Sequence, residues 1–414
     1  MRNPTQSLRA LDALNFFLAD VQTSIGPFVA IYLATLHWNN ERVGFALTVA
    51  SLTGVLFQTP AGALVDHVRA KRELLALGVV LVVLATLGLG VYPILVVVLA
   101  AQIVLGGVST ILGPAVNAVT LGLIGPAHLD RRIGRNQAFN SAGNVVAAVS
   151  MGLVGYWLTA RAIFFAVPLF AIPTLIALAS ISPQEIDHAR ARGARAGGEE
   201  VQIFRIQSLL RDRRLLAFIG CVTLFHFANA AMLPELGELL ARGRGRSSNL
   251  FMAACVITTQ AVITILAPWV GRKATAWGRK PLLLIGFGVL PLRGVLYTLT
   301  SIPWLLMAIQ VLDGVANAIF GVVSVLVIAD LTRGTGRFNL VQGALGTAVG
   351  IGASLSTAGA GFMVYHYGYD AGFLSLAGIA AAALVLLWLA VPETLTWVSP
   401  CSARTKYEET LTNV

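Results

Sequence analysis

Long apolar runs, broken by short charged or Gly/Pro-rich turns, organise this chain of 414 residues. A helix needs about 20 predominantly apolar residues, at about 1.5 Å of rise each, to cross a bilayer. Twelve runs meet that length: 11–36, 43–65, 74–92, 94–125, 136–158, 162–181, 215–241, 247–270, 281–300, 303–329, 338–365 and 371–391. The tightest turns, at Tyr92-Pro93 and Ser301-Pro303, carry a proline where the chain must reverse. The third, sixth and twelfth runs are almost wholly apolar, as helices facing lipid should be. Polar residues gather in the first, fourth, fifth, seventh, tenth and eleventh.

Composition points the same way. The chain is 57% hydrophobic and 12% charged, with a mean hydropathy of +0.79, whereas a soluble domain carries about twice that charge. Such a chain cannot cover a water-facing surface, so lipid is its solvent. The net charge of +10 does not indicate a nucleic-acid partner, because the basic residues lie in short loops between apolar runs. With both termini in the cytoplasm, the 29 Lys and Arg divide into 23 cytoplasmic, one within a span (Arg293) and five external (Arg42, Arg161, Arg242, Arg244, Arg246). That bias is the positive-inside rule. The Arg242-Gly-Arg-Gly-Arg246 turn is its one local violation. Cys221 and Cys255 fall inside apolar runs and Cys401 in the tail, with no redox or metal-ligand spacing. The polar N-terminus leads directly into a long span, so no cleavable signal is expected.

The runs form two sets of six. An N-terminal half (1–181) and a C-terminal half (215–391) flank a basic, Gly/Ala-rich linker (182–214), and a tail (392–414) follows. In the linker, Ile203, Phe204, Ile206 and Leu210 recur at near-helical spacing, which predicts a short amphipathic helix on the membrane surface. The halves repeat. Gln102-Ile-Val-Leu-Gly106 and Gln310-Val-Leu-Asp-Gly314 stand 208 residues apart (310 − 102), as do Gly113 and Gly321, while Pro27 and Pro234 stand 207 apart (234 − 27). A constant offset near half the length marks a duplicated carrier.

Two loops carry the chemistry of a family. The first reads Gly62-Ala-Leu-Val-Asp66-His-Val-Arg69-Ala-Lys71-Arg72, and the second Gly271-Arg-Lys-Ala-Thr275-Ala-Trp-Gly278-Arg279-Lys280, 209 residues later (271 − 62). Both resemble the Gly-x-x-x-Asp-(Arg/Lys)-x-Gly-(Arg/Lys)-(Arg/Lys) loop of the major facilitator superfamily, and the resemblance covers essentially the whole chain. It implies an all-α membrane protein of twelve transmembrane helices in two pseudo-symmetric halves, with the loop glycines permitting close helix contact. It also implies that the acid and basic residues latch a cytoplasmic gate. Arg69 stands at the second glycine of the first copy, and Thr275 replaces the acid of the second. Drug antiporters of the family carry an arginine where this chain has Gln102, and the region Gly143-Asn144 to Gly155 lacks their proline. Pro392-Glu-Thr394 is similar to the end of the sugar porters, whose run after the sixth span Ser182-Pro-Gln-Glu does not match.

A charge within a span costs at least about 2.5–3.5 kcal/mol on insertion scales, so each needs a partner or a task. Asp20 sits roughly 13 Å from the cytoplasmic end of the first span. Thr223, His226 and Asn229 share one face of the seventh, with His226 about 18 Å deep. The resemblance places the first, fourth, seventh and tenth spans around the cavity, with Asp20 and His226 at similar depth. An aspartate and a histidine there could bind and release a proton. The competing readings are a static cap for Asp20 and a satisfied core residue for His226. Arg293 and Asp313, on adjacent helices at similar depth, read as a structural ion pair. Alternatively, Asp313 faces the cavity with Gln310 and Asn317. Asn136, Asn140 and Asn144, at spacing four, either bond a neighbouring helix or line a wet path.

These features, with the resemblance, imply a secondary active transporter of the bacterial inner membrane, similar to small-molecule and drug exporters of the family. It would work by alternating access and proton-coupled efflux, as a monomer embedded in membrane lipid. A proton-coupled uptake symporter and a sensor without flux are the alternatives. No nucleotide-binding loop, catalytic triad or metal-binding run occurs in the sequence, so neither an enzyme nor a cofactor is expected. The absence of an arginine cluster in the cavity spans argues against a phosphate or nitrate carrier. It suits neutral, cationic or weakly polar compounds, or metal-chelating small molecules.

Overall fold

The computed structural model describes residues 4–23, 26–159, 161–194, 211–241 and 247–395. Among these, α1 (Pro4–Thr23), α2 (Gly26–Thr35), α3 (Asn40–His67), α4 (Lys71–Val91), α5 (Leu95–Ile124), α6 (Leu129–Trp157) and α7 (Ala162–Ser180) form the first set. A short α8 (His188–Ala191) lies in the linker. The second set is α9 (Arg213–Asn229), α10 (Met232–Ala241), α11 (Ser247–Trp277), α12 (Arg279–Thr298), α13 (Pro303–Leu331), α14 (Phe338–Tyr367) and α15 (Tyr369–Ala390). Eleven helical stretches among the described residues are long and apolar enough to cross a membrane. The helices α1 and α2, on either side of residues 24–25, cover the run read as the first span. The protein is an all-α, multi-pass membrane protein.

Two boundaries differ from the hydropathy reading. The helix α6 begins at Leu129, seven residues before its apolar run (136 − 129), and α11 continues through Gly271–Trp277, the stretch read as a loop. Charged side chains in the headgroup region do not end a helix, because long basic stems reach outward to water. Only Gly278, in the left-handed region at φ 93°, separates α11 from α12. The seventh run, read as continuous, breaks between α9 and α10. Pro234 has no N–H to give the carbonyl of residue 230, and the Ala231 N–H donates to Ser356 Oγ at 2.9 Å instead. The amphipathic helix expected at 203–210 and the Arg242–Arg246 turn lie outside the described residues.

Each set of spans has its own apolar core: Ala10 to Ala191 in the first, and largely Leu215 to Val391 in the second. The sets meet along α3 against α14 and α6 against α11. At both seams the backbones touch through glycine. A Cβ on Gly62 or Gly343 would overlap the carbonyl oxygens of Asn339 or Gln58, and one on Gly134 or Gly271 those of Ala267 or Asp130. Large apolar side chains such as Leu84, Leu169, Ile265 and Trp388 remain exposed, forming the surface that lipid covers.

Candidate functional site

The linker and the short loops 68–70, 125–128, 278 and 332–337 share one face of the bundle, the linker face. There Asp66, 5% exposed at the end of α3, reaches across to the start of α14. Its Oδ1 accepts from Asn339 N (3.1 Å) and Nδ2 (2.8 Å), and its Oδ2 from Leu340 N (2.8 Å). These amides are among the unsatisfied donors of a helix N-terminus, where a carboxylate is favoured by both hydrogen bonding and the helix dipole. The basic residues of this loop bond within their own half. Lys71 Nζ donates to the carbonyls of Val65 (2.6 Å) and Val68 (3.0 Å), Arg72 donates to that of Ile181 (2.9 Å), and Arg69 is exposed. The acid of the first copy therefore holds the opposite helix end, not the cations beside it.

At the second seam the acid has changed sides. Thr275 stands 209 residues after Asp66 (275 − 66), and Asn339 stands 209 after Asp130 (339 − 130). Thr275 Oγ1 donates to Asp130 Oδ2 at 2.9 Å, so each seam pairs one carboxylate with one neutral side chain, in reversed order. Arg279 grips Asp130 with both terminal nitrogens (2.9 and 3.1 Å) and Asp330 with Nε (3.0 Å). Glu393 accepts from the backbone N–H groups of Arg279 and Lys280 (2.9 Å each), capping α12, while Lys280 Nζ donates to the Trp388 carbonyl (2.7 Å). Sequence reasoning does not single out Asp130, Asp330 or Asn339, and it marks Glu393 only within the Pro392-Glu-Thr394 run. The 209-residue offset was the signal that could have found Asp130 and Asn339.

The described part of the linker runs beneath the first seam and bridges the two sets. The Asp187 N–H donates to Gly122 O (3.2 Å) in the first set. The carbonyls of Ala191, Arg192 and Gly193 accept from Asn339 Nδ2 (3.1 Å), Phe338 N (3.2 Å) and Gly334 N (2.6 Å) in the second. His188 sits half-buried here. Burial, then the positive charges of Lys71, Arg192 and Arg69, hold its imidazole down to about 4.

Behind the seams lies a cavity between the halves, in two connected parts of about 370 and 190 Å³ that share Gln137 and Gly321. The larger part is walled by Asn144, Gln260, Thr259, Asp313, Asn317 and Phe320. Asn15, Asn117, Asn136 and Asn140 line the smaller. Among the described residues, eight carboxamides thus face this space, and the one carboxylate is neutralised. Asp313 pairs with Arg293, which is fully buried, and accepts from Thr259 Oγ1 and Asn317 Nδ2 at 3.0 Å each. Arg293 also donates to Asn229 Oδ1 at 2.8 Å. Asp313 therefore takes both of the roles open to it in sequence, ion-pair partner and cavity wall.

The remaining candidates separate. Gln310 is fully buried behind the cavity and bonded to the Tyr297 hydroxyl. His226 packs edge-on against Phe225 and Phe320, and its Nε2 is buried without a hydrogen-bond partner. Asp20 belongs to α1, and its side chain lies outside the described residues. The asparagine stripe serves both purposes: Asn136 bonds Thr120 (2.8 Å) and Arg132 (2.8 Å), whereas Asn140 and Asn144 face the cavity. A chain of amides joins cavity to seam. Asn117 Nδ2 donates to Gln342 Oε1 (2.6 Å), Gln342 Nε2 to Asn339 Oδ1 (3.1 Å), and Asn339 to Asp66. Sequence reasoning missed Asn15, Asn117 and Gln260, since single amides in apolar runs do not reveal which face they share.

Comparison with known proteins fits this geometry. The family model described as Major Facilitator Superfamily matches residues 11–290 and 225–406. Two uncharacterized MFS-type transporters of Mycobacterium tuberculosis are each 44% identical over 395 residues, covering 95% of this chain and 94% of theirs. The class B tetracycline resistance protein of Escherichia coli is 35% identical over 88 residues, 21% of each chain. A proton:xylose symporter bound to 6-bromo-6-deoxy-D-glucose superposes with a TM-score of 0.72 at 16% identity, covering 95% of this chain and 97% of that one.

Proposed function

The chain belongs to the major facilitator superfamily and is a secondary transporter, and on that premise we propose that it exports a neutral, hydrogen-bond-rich small molecule in exchange for protons. The cavity carries the reading. Among the described lining residues, eight carboxamides around a neutralised ion pair offer donors and acceptors to hydroxyl, carbonyl and amide groups, with no net charge to select an ion. The basic residue bias supports the inner membrane of a bacterium with the linker face in the cytoplasm. In that orientation the structure is closed toward the cytoplasm, because the Asp66 and Asp130 latches lie on the linker side of the cavity. Rocking the halves would break these bonds and open the cavity there. The short resemblance to a resistance protein favours export over uptake.

Asp20 is the proposed coupling carboxyl, because a carboxyl midway along a cavity-lining span can carry a proton between the two sides. The test is accumulation of neutral polyhydroxylated and amide-rich compounds in everted membrane vesicles under an imposed pH gradient. Vesicles acid inside should accumulate substrate, and Asp20→Asn should lose that accumulation while retaining exchange of substrate down its own gradient. Uptake only into right-side-out vesicles would reverse the direction. Full accumulation by the Asn variant with an unchanged pH profile would remove Asp20 from the coupling.

A further inference from the structure

Another buried carboxyl lies outside the lining of the amide cavity, in the outer half of the seventh span. Glu235 of α10 is 5% exposed, and both of its carboxylate oxygens are buried without a hydrogen-bond partner. It forms no ion pair among the described residues. The carboxyl lies against Gly372 of α15, where an added Cβ would stand 3.2 Å from each oxygen. Above it opens a vestibule of about 510 Å³ facing away from the linker, lined by Glu235, Glu238, Thr357, Tyr365 and Tyr369.

The described groups around Glu235 offer it no positive charge. On its own helix Glu238 follows at spacing three and accepts from the Tyr369 hydroxyl of α15 at 3.3 Å. Tyr365 of α14 is exposed and Asp370 of α15 is exposed beyond it. Cys255 of α11 and Tyr297 of α12 belong to the apolar cluster that holds Met232, Leu236 and Phe373 around this turn. Arg293, beside the contact of Gly294 with Met232, is committed to Asp313 and Asn229. An ionised carboxylate with both oxygens neither bonded nor wet is strongly disfavoured, and the neutral acid is the form that fits.

We propose that Glu235 is a proton-binding site of the external vestibule, filled from outside in the conformation closed at the linker face and emptied in the alternate conformation, which shuts the vestibule and breaks the seal against Gly372. A proton passes from hydronium in the vestibule to one carboxylate oxygen, forming an O–H bond and leaving water. The seal against Gly372 then forms over a neutral group. Ionised Glu235 cannot be sealed, so deprotonation favours the alternate conformation. This assignment rests on the reading of the chain as a proton-coupled carrier with that face outside.

The test places a reporter thiol on the vestibule. Gly361 lines it and has nothing within 4 Å of its Cβ position, and the described native thiols, Cys221 and Cys255, are buried. In intact cells carrying Gly361→Cys, labelling by a membrane-impermeant maleimide is divided at each pH by the rate for a fully exposed thiol, because the reactive thiolate fraction itself rises with pH. That ratio should fall as external pH rises, by at most about tenfold per pH unit for one proton. Adding Glu235→Gln should make the ratio high and independent of pH, while Glu235→Asp should keep the slope with a displaced midpoint. A flat profile in the parent, the parent's slope surviving in the Gln variant, or an unmoved midpoint in the Asp variant would overturn the assignment. The Asp variant decides alone if the Gln variant fails to reach the membrane. Vesicle flux separates the two readings. A Glu235-dependent slope without pH-driven flux removes the coupled carrier and keeps the proton site, and pH-driven flux without the slope does the reverse.

Discussion

Replacing Asp66 with Asn isolates the charge of the first latch with almost no change of volume. The carboxylate accepts three hydrogen bonds at the N-terminus of α14, at 3.1, 2.8 and 2.8 Å, while 5% exposed. Hydrogen bonds to a charged group are worth about 1.5–3 kcal/mol each, and the helix dipole adds up to about 2 kcal/mol in partly buried geometry. Asn keeps one acceptor but turns an NH₂ group toward a backbone N–H, so one of the three bonds is lost and the remainder lose their ionic character. A net loss of about 2–3 kcal/mol follows, and it falls only on the conformation closed at the linker face. At 1.4 kcal/mol per factor of ten, the closed population falls about 30- to 150-fold relative to the open one. Thr59 and Thr347, whose hydroxyls meet at 2.9 Å across the seam, give the assay. With both changed to Cys, oxidative cross-linking should be efficient in the parent and slower, by at most that factor, in Asp66→Asn. Membrane insertion should be normal and turnover strongly reduced. Equal cross-linking and equal transport in the two proteins would refute the latch.

Arg293 and Asp313 should behave as a unit. Either change to Ala leaves an unpaired buried charge costing about 3–5 kcal/mol, whereas the double change removes both charges, so folding yield should recover relative to the worse single variant. A double variant no better than that single one would mean that the pair is not coupled. The docked linker should loosen in acid. His188 is held neutral, down to about 4 in the folded protein against 6.5 when free, so the unfolded segment binds more protons between those values and linker stability falls as pH drops through them. Protease cleavage within 182–194 should therefore rise from pH 7 to pH 5, and His188→Gln should flatten that rise. An identical profile in the variant would show that another group controls docking.

The spans, their number and the duplication follow from one-dimensional properties. Lipid demands a long apolar run for every crossing, and a gene duplication leaves a constant offset. The pairing of Arg293 with Asp313 was legible for a related reason: two charges at one depth on adjacent helices are too costly to leave apart. The paired glycines of the loop motif likewise announced the tight seams at Gly62 and Gly271. Tertiary structure alone decided how Thr275 is reconciled with the motif, because the missing acid returns as Asp130 on a helix 145 residues away (275 − 130). It also decided that Gln310 lies behind the cavity while Asn15, Asn117 and Gln260 face it. Hydropathy gives the depth of a residue, and helical spacing gives its neighbours on the same face. Which way that face turns depends on how two helix bundles pack, and that packing placed the carboxamides around one cavity and left Glu235 without a hydrogen-bond partner among the described residues.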